Sequence, residues 1–276
     1  MLQNNNMKAG VCPAFVFWGD YIMRILFIGD IVGKHGLNYL KSKLPQLRNE
    51  YKPNIIIVNA ENTTNGKGLN LRDYKELMSL NIHALTMGNH TYRNQEINDF
   101  IDGSKIARPM NILNQKGMGY IDINYNGKIV TVINLIGTIH MDTSYELENP
   151  FKVVDQFLKT HKSDYILVDM HAETTSEKLA MAHFLDGRVD AVVGTHTHVQ
   201  TNDAMVLPNN TLYVTDLGMT GSINGILGVK KEIIIDRFVN DGKEVFKLDE
   251  SGVCQLNGTL LELGSKPSIK LIHLEK

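Results

Sequence analysis

The sequence predicts an α/β sandwich with mixed β-sheets. Three observations carry that expectation. Short apolar runs alternate with helical periodicity from Met23 onward, an Asn126-Gly127 turn joins two alternating runs mid-chain, and the tail returns to strands. Strand–helix alternation builds parallel neighbours and tight hairpins build antiparallel ones, so the sheets should contain both.

The elements follow in order. Residues 24–29 (RILFIG) read as a buried strand, a continuous apolar run closed by glycine. Leu37, Leu40, Leu44 and Leu47 then recur at helical spacing, with Pro45 expected to kink or split that helix. A second strand is read at 54–58, a helix at 69–80, a third strand at 82–87, a helix at 93–101 and a short strand at 107–112. The runs 119–125 and 128–135 flank Asn126-Gly127, the strongest short hairpin signal. Helices at 149–161 and 174–185 alternate with strands at 165–170 and 191–194. The tail reads as strands at 211–215, 230–238, 245–248 and 269–274, the middle two joined at Asn240-Asp241-Gly242.

Composition narrows the class. The 276 residues are 43% hydrophobic and 21% charged with net charge −2, which excludes a wholly disordered chain and a broad basic face for nucleic acid. Cys12 and Cys254 are the two cysteines, and neither forms a C-x-x-C pair. That excludes a disulfide scaffold and a thiolate zinc site, and it suits a reducing, cytoplasmic setting. No stretch approaches 18 apolar residues, so no membrane span is expected. Residues 1–22 carry a short apolar run at 11–18 but no cleavage-site pattern. They are an N-terminal extension, or Met23 is the start; the sequence leaves both open. Without repeats or linkers, residues 23–276 are expected to form one domain.

The chemistry sits where apolar strands end. Asp30 follows the first, Glu61 and Asn62 the second, Asn89 and His90 the third, then His171, and finally His196 and His198. Carboxyl ends of parallel strands line one edge of an open sheet, where ligands collect, so these eight residues should converge. Singly each has a plainer use: Asp30 as a helix cap, Asn62 and Asn89 as turn residues, His171 as a core histidine. In H-x-H, positions i and i+2 of an extended segment point to one side. Three imidazoles, two carboxylates and amide oxygens without thiolate suit iron, manganese or zinc better than magnesium or calcium. Seven candidate ligands exceed the needs of one tetrahedral ion, which favours two ions sharing a carboxylate. Such pairs, about 3.5–4 Å apart, serve in-line phosphoryl displacement.

These residues, in this order, resemble the calcineurin-like metallophosphoesterases. The strings GDIVG (29–33), NAENTTNGKG (59–68), MGNHTY (87–92), VDMHAE (168–173), GTHTHVQT (194–201) and DLGMTG (216–221) are similar to the YmdB-type branch, bacterial 2′,3′-cyclic nucleotide phosphodiesterases. The superfamily's usual D-x-H is here Asp30-Ile31-Val32, and its G-D-x-x-D motif is replaced by Glu61-Asn62. The resemblance implies an α/β/β/α sandwich. It also implies one ion held by Asp30, Glu61, Asn62 and His198, and a second held by Glu61, Asn89, His171 and His196. Iron would be the first choice, with manganese or zinc as alternatives. His90 would protonate the leaving alkoxide after in-line attack of a metal-bridging hydroxide.

Around this centre, backbone groups of Thr64, Asn65 and Gly66 are candidate phosphate contacts. His140 and the segment Met219, Thr220 and Gly221 are candidates for shaping the pocket. His35, His83, His161, His183 and His273 have no matching companions and read as structural. GDIVGKH is not a P-loop, because its spacing to Gly-Lys is one residue short and no Ser or Thr follows. The expected substrate is a small phosphodiester or an RNA end. Rivals are a phosphomonoesterase and a regulatory protein acting through a partner or RNA, and a homo-oligomer is open. With His90 and all seven ligands present, the enzyme reading is preferred.

Overall fold

The first strand explains the layering. In this computed structural model, which describes residues 22–141 and 144–275, β1 (Met23–Ile28) is almost wholly buried. Met23, Ile25 and Phe27 pack with Val130, Val132, Leu167, Ala191 and Val193, whereas Leu26 and Ile28 pack with Leu37, Leu40, Leu44 and Leu47. Successive side chains leave a strand on opposite faces. One face of β1 therefore meets a second sheet and the other meets helices. The extension at 1–21, including the apolar run at 11–18 and Cys12, lies outside the described residues.

After β1 come β2 (Asp30–Ile31), α1 (Gly33–Tyr51), β3 (Ile55–Asn59), α2 (Leu71–Ser79) and β4 (Ala84–Thr86). The stretch expected to be helical at 93–101 is only a 3-10 turn, Gln95–Asp99, and the strand expected at 107–112 shortens to β5 (Ile106–Ala107). The hairpin is β6 (Tyr120–Tyr125) and β7 (Lys128–Ile136), followed by α3 (Pro150–Thr160), β8 (Tyr165–His171), α4 (Thr175–Leu185) and β9 (Ala191–Thr195). The tail holds β10 (Met205–Val206), β11 (Leu212–Val214), β12 (Met219–Ser222), α5 (Lys231–Asn240), β13 (Cys254–Leu263) and β14 (Ser268–Glu275).

The first sheet runs β2-β12-β13-β1-β3-β4-β5, with β14 on β13, and the second runs β10-β11-β9-β8-β7-β6. Within them β1, β3, β4 and β5 are parallel neighbours, as are β7, β8, β9 and β11. The outer face of the second sheet packs Val168, Met170 and Val192 against Val154 of α3 and Met181, Ala182 and Leu185 of α4. The result is an α/β/β/α sandwich with mixed sheets.

Two expectations are corrected. Pro45 neither splits nor ends α1, because it sits on the exposed face opposite the leucines. The 230–238 strand is instead the helix α5, and 245–248 forms no strand beyond a bridge between Val229 and Leu248. Asp241 is left-handed (φ 53°) and Gly242 N–H donates to Asp236 O, so Asn240-Asp241-Gly242 ends a helix rather than turning a hairpin. The antiparallel tail is β13 with β14.

Helix α3 shows how local chemistry fixes a boundary. Asn149 Oδ1 accepts from Phe151 N–H (3.0 Å) and Lys152 N–H (3.2 Å), and Pro150 occupies the first turn. Asn149→Ala should cost about 1 kcal/mol of stability, read as a lower chemical-denaturation midpoint with unchanged slope.

Candidate metal centre

The two sheets bring their carboxyl edges together, and the eight strand-end residues lie there. Asp30 is steered by backbone pairing: Gly29 N–H donates to Asn257 O (3.0 Å) and Asp30 N–H to Gly218 O (3.1 Å). Gly29 is required for that approach, since a Cβ on it would stand 1.9 Å from Gly218 O. Glu61 and Asn62 leave the end of β3, where Asn59 Oδ1 accepts from Glu61 N–H (3.1 Å). Asn89 and His90 follow β4 through Gly88, whose Cβ position would fall 2.2 Å from His171 Nε2 and 2.4 Å from Glu61 Oε2. The first sheet thus supplies five residues, and the second supplies His171, His196 and His198.

The contacts form one connected set. Glu61 Oε1 lies 3.2 Å from His171 Nε2 and accepts from Asn62 Nδ2 at 3.1 Å. His171 Nε2 is 3.1 Å from both Asn89 Oδ1 and His196 Nδ1. Asn62 Nδ2 is 3.0 Å from His198 Nε2, and Asn62 Oδ1 is 2.7 Å from His90 Nδ1. Asp30 Oδ2 accepts from His196 N–H at 3.3 Å. One corner is tight enough for a single ion: ligand atoms of Glu61, His171 and His196 all lie within 4.8 Å of one another.

The H-x-H pair converges for a different reason from the expected one. Strand β9 ends at Thr195, and His196 and His198 stand beyond it with φ of 102° and 66°. They meet the cluster through a turn in sparsely populated backbone conformations, not through an extended segment.

Electrostatics in the cluster are dominated by burial. Burial raises the Asp30 carboxyl well above the usual range; His171 opposes this, while Glu61, Asp216 and Asp169 add to it. Burial also works to raise Glu61, but His171 and His90 hold it well below the carboxylate range. Burial disfavours charge on His171, yet Glu61, Asp30 and Asp169 push it up to about 9. Burial, helped by His171, pushes His196 down to about 3; burial also lowers His198 and His90. The cluster thus holds two buried carboxyl groups, Asp30 and Glu61, beside three imidazoles, His90, His196 and His198, whose charged forms burial disfavours.

The residues fit a bound metal cation. Asp30 Oδ1 is buried and has no hydrogen-bond partner among the described residues, a state a cation would relieve. His171 Nε2 faces oxygen atoms of Asn89 and Glu61 and a nitrogen of His196 at similar distances, more partners than one N–H can serve. Behind it, Thr195 Oγ1 donates to Asp169 Oδ1 (2.7 Å) and lies 2.8 Å from His171 Nδ1. Because that hydroxyl proton is spent on Asp169, Nδ1 is the donor to Thr195 and Nε2 points into the cluster.

The remaining candidates do not join this set. Thr64 commits its N–H to Gly68 O and its hydroxyl to Asp73, so it presents neither to a phosphate. Asn65 is exposed and lines a cavity with Lys230, Lys247 and Leu248; Gly66 (φ 78°) abuts Leu248. His140 lies exposed in the loop after β7. Met219, Thr220 and Gly221 are buried in β12, where Met219 pairs with Asp30; Met219 also lines a cavity with His198, Gln200 and Leu227, whereas Thr220 and Gly221 line none of the cavities described.

Sequence reasoning missed Asp169, Thr195, Lys178 and Asp216. Two of them left a trace: Asp169 interrupts an apolar strand, and Lys178 shares a helical face with Met181, Ala182 and Leu185.

A two-sheet α/β sandwich with a nitrogen–oxygen donor cluster at its paired edges defines a hydrolase fold of the metallophosphoesterase type. Residues 26–273 match the family described as YmdB-like protein, and the chain belongs to that family. It is 43% identical over 258 residues to the Bacillus subtilis protein named 2′,3′-cyclic-nucleotide 2′-phosphodiesterase, covering 92% of this chain and 96% of that one. A Mycoplasma pneumoniae structure described as that of a novel phosphatase superposes with TM-score 0.88 at 34% identity, covering 93% of this chain and 95% of that one. The structure of a hypothetical protein from Thermus thermophilus gives TM-score 0.86 at 37% identity, covering 92% of this chain and 100% of that one.

Proposed function

We propose that residues 23–276 work as one domain, a metal-dependent phosphodiesterase that opens 2′,3′-cyclic nucleotides. The observation that carries this reading is the connected set of Asp30, Glu61, Asn62, Asn89, His90, His171, His196 and His198. Its likeness to the Bacillus subtilis enzyme supplies the substrate class. One ion is assigned to Asp30, Glu61, Asn62 and His198, the other to Glu61, Asn89, His171 and His196, with Glu61 shared. The donor set suits iron, manganese or zinc, and the family resemblance makes iron the first choice. When bound, the ions supply an acidified water as nucleophile and positive charge for the phosphoryl oxygens.

The chain's own residues handle the leaving group. His90 keeps 21% of its side chain exposed where Glu61 keeps 1%, which places it at the open side of the cluster. Its Nδ1 is held by Asn62 Oδ1, leaving Nε2 to face a substrate. As water adds to phosphorus and the bond to the ribose 2′-oxygen breaks, His90 in its doubly protonated form gives that oxygen the Nε2 proton and keeps the Nδ1 proton hydrogen-bonded to Asn62 Oδ1, yielding a nucleoside 3′-phosphate. His90→Ala should lower kcat about 100-fold or more while metal content, by elemental analysis, stays at the wild-type level. An unchanged kcat removes the assigned role.

A hydrolysis panel tests the function. The metal-reconstituted protein should prefer 2′,3′-cyclic AMP over 3′,5′-cyclic AMP, bis-p-nitrophenyl phosphate and p-nitrophenyl phosphate. Similarity to the Mycoplasma pneumoniae phosphatase supports a second reading, a phosphomonoesterase, which preference for p-nitrophenyl phosphate would establish. RNA ends carrying a 2′,3′-cyclic phosphate are an extension of the same substrate class. No helix among the described residues is long and apolar enough to cross a membrane. The sequence's sparse cysteines support action in the cytoplasm.

A further inference from the structure

We infer that the buried Lys178–Asp216 pair is a positioning clamp for the turn that carries His196 and His198. The inference rests on the metal reading above and concerns residues that do not themselves belong to the proposed ligand set. Asp216 opens the DLGMTG string, and Lys178 projects from the packed face of α4. Both side chains are fully buried, with Lys178 Nζ 2.7 Å from Asp216 Oδ2. The same Oδ2 accepts from the Thr197 N–H at 3.0 Å, and Oδ1 accepts from the Gly218 N–H at 2.8 Å.

Thr197 is the residue between the two histidines, and both neighbours have positive φ. A turn with two non-glycine residues in that region does not persist on its own preference and must be held by its surroundings. The Thr197 N–H is where Asp216 takes hold. Charge assistance strengthens that hydrogen bond, and Lys178 makes a carboxylate tolerable at zero exposure. Gly194 leaves room for the lysine stem: a Cβ there would stand 2.8 Å from Lys178 Cδ. The Asp216 contact to Thr197 thus gives His196 and His198 a defined direction, and Lys178 serves to keep that acceptor in the interior.

The test removes the charges together, so that neither is left alone in the interior. K178M/D216N retains an amide oxygen in reach of Thr197, whereas K178M/D216L offers no acceptor. Mn²⁺ is titrated into each protein and free Mn²⁺ is followed by electron paramagnetic resonance, with thermal melting as the check on folding. The leucine variant should bind Mn²⁺ about tenfold or more weakly than wild type, and the asparagine variant within about threefold of it. K178M/D216A takes the place of a leucine variant that does not fold.

Wild-type affinity in the folded leucine or alanine variant overturns the clamp. Equal weakening in the asparagine variant overturns it too, because the lost charges and not the Thr197 contact would then be responsible. A wild-type protein that takes up no Mn²⁺ overturns the metal reading along with it.

Discussion

Glu61→Ala should strip the protein of both ions and abolish hydrolysis. Glu61 is 1% exposed, and its two oxygens contact Asn62, the His90 N–H and His171. It therefore touches members of both proposed ligand sets. Removing an ordinary ligand weakens one ion; removing a shared one weakens both and leaves Asp30 and His171 facing an emptied space. The fold should survive, because Glu61 belongs to the edge of the sheets and not to the packed interior between them. Elemental analysis after gel filtration gives the readout, with circular dichroism verifying folding. Full occupancy of both ions in a folded Glu61→Ala protein would contradict the shared role.

Gly194→Ala should damage the fold itself. A Cβ on Gly194 would lie 1.7 Å from Thr215 O and 2.7 Å from Thr215 C, both backbone atoms. Residue 194 is gripped on both flanks, pairing with Met170 of β8 and accepting from Leu217 N–H at 2.8 Å. The collision cannot be relieved by a rotamer change, so β9 and the segment after β11 must separate. Overpacking typically costs 1–3 kcal/mol, and a contact this short against backbone should reach about 3 kcal/mol or more. The measurement is denaturant unfolding monitored through the second sheet. A midpoint equal to wild type would mean that the two segments are not packed as described.

The legible parts of the fold are those where one pattern dominates. RILFIG, IIIV, ILVDM and AVVGT are buried on both faces, so their apolar runs announce strands directly. α5 is illegible for the opposite reason. Its KEIIID run is rich in β-branched residues that favour strands, yet only Ile233 is buried and Phe238 stays 86% exposed. With little tertiary burial on either reading, the helix C-cap at Asp241 carries the distinction, and Asn-Asp-Gly serves both outcomes. β13 escaped notice because the turn-type pair Asn257-Gly258 lies inside its run, and because its partner β1 comes from the other end of the chain.

The candidate site divides in the same way. Polar residues at the ends of apolar strands stand out, which is why the eight could be named. The route by which His196 and His198 arrive could not, because left-handed turns at non-glycine positions carry no sequence signature. Nor could Asp169, Thr195, Lys178 and Asp216 be assigned. Their roles are defined by hydrogen bonds to residues far away along the chain, such as Lys178 to Asp216.

The division of the cluster between the two sheets has a thermodynamic consequence. Asp30, Glu61, Asn62, Asn89 and His90 come from one slab, and His171, His196 and His198 from the other, which meet through Phe27, Ile57, Val132 and Val193. On the proposed metal reading, cations captured across that seam would act as rivets, binding the docked slabs and not the separated ones. Melting temperature should then climb with the logarithm of free metal concentration, and chelation should loosen the seam well before the outer helices unravel.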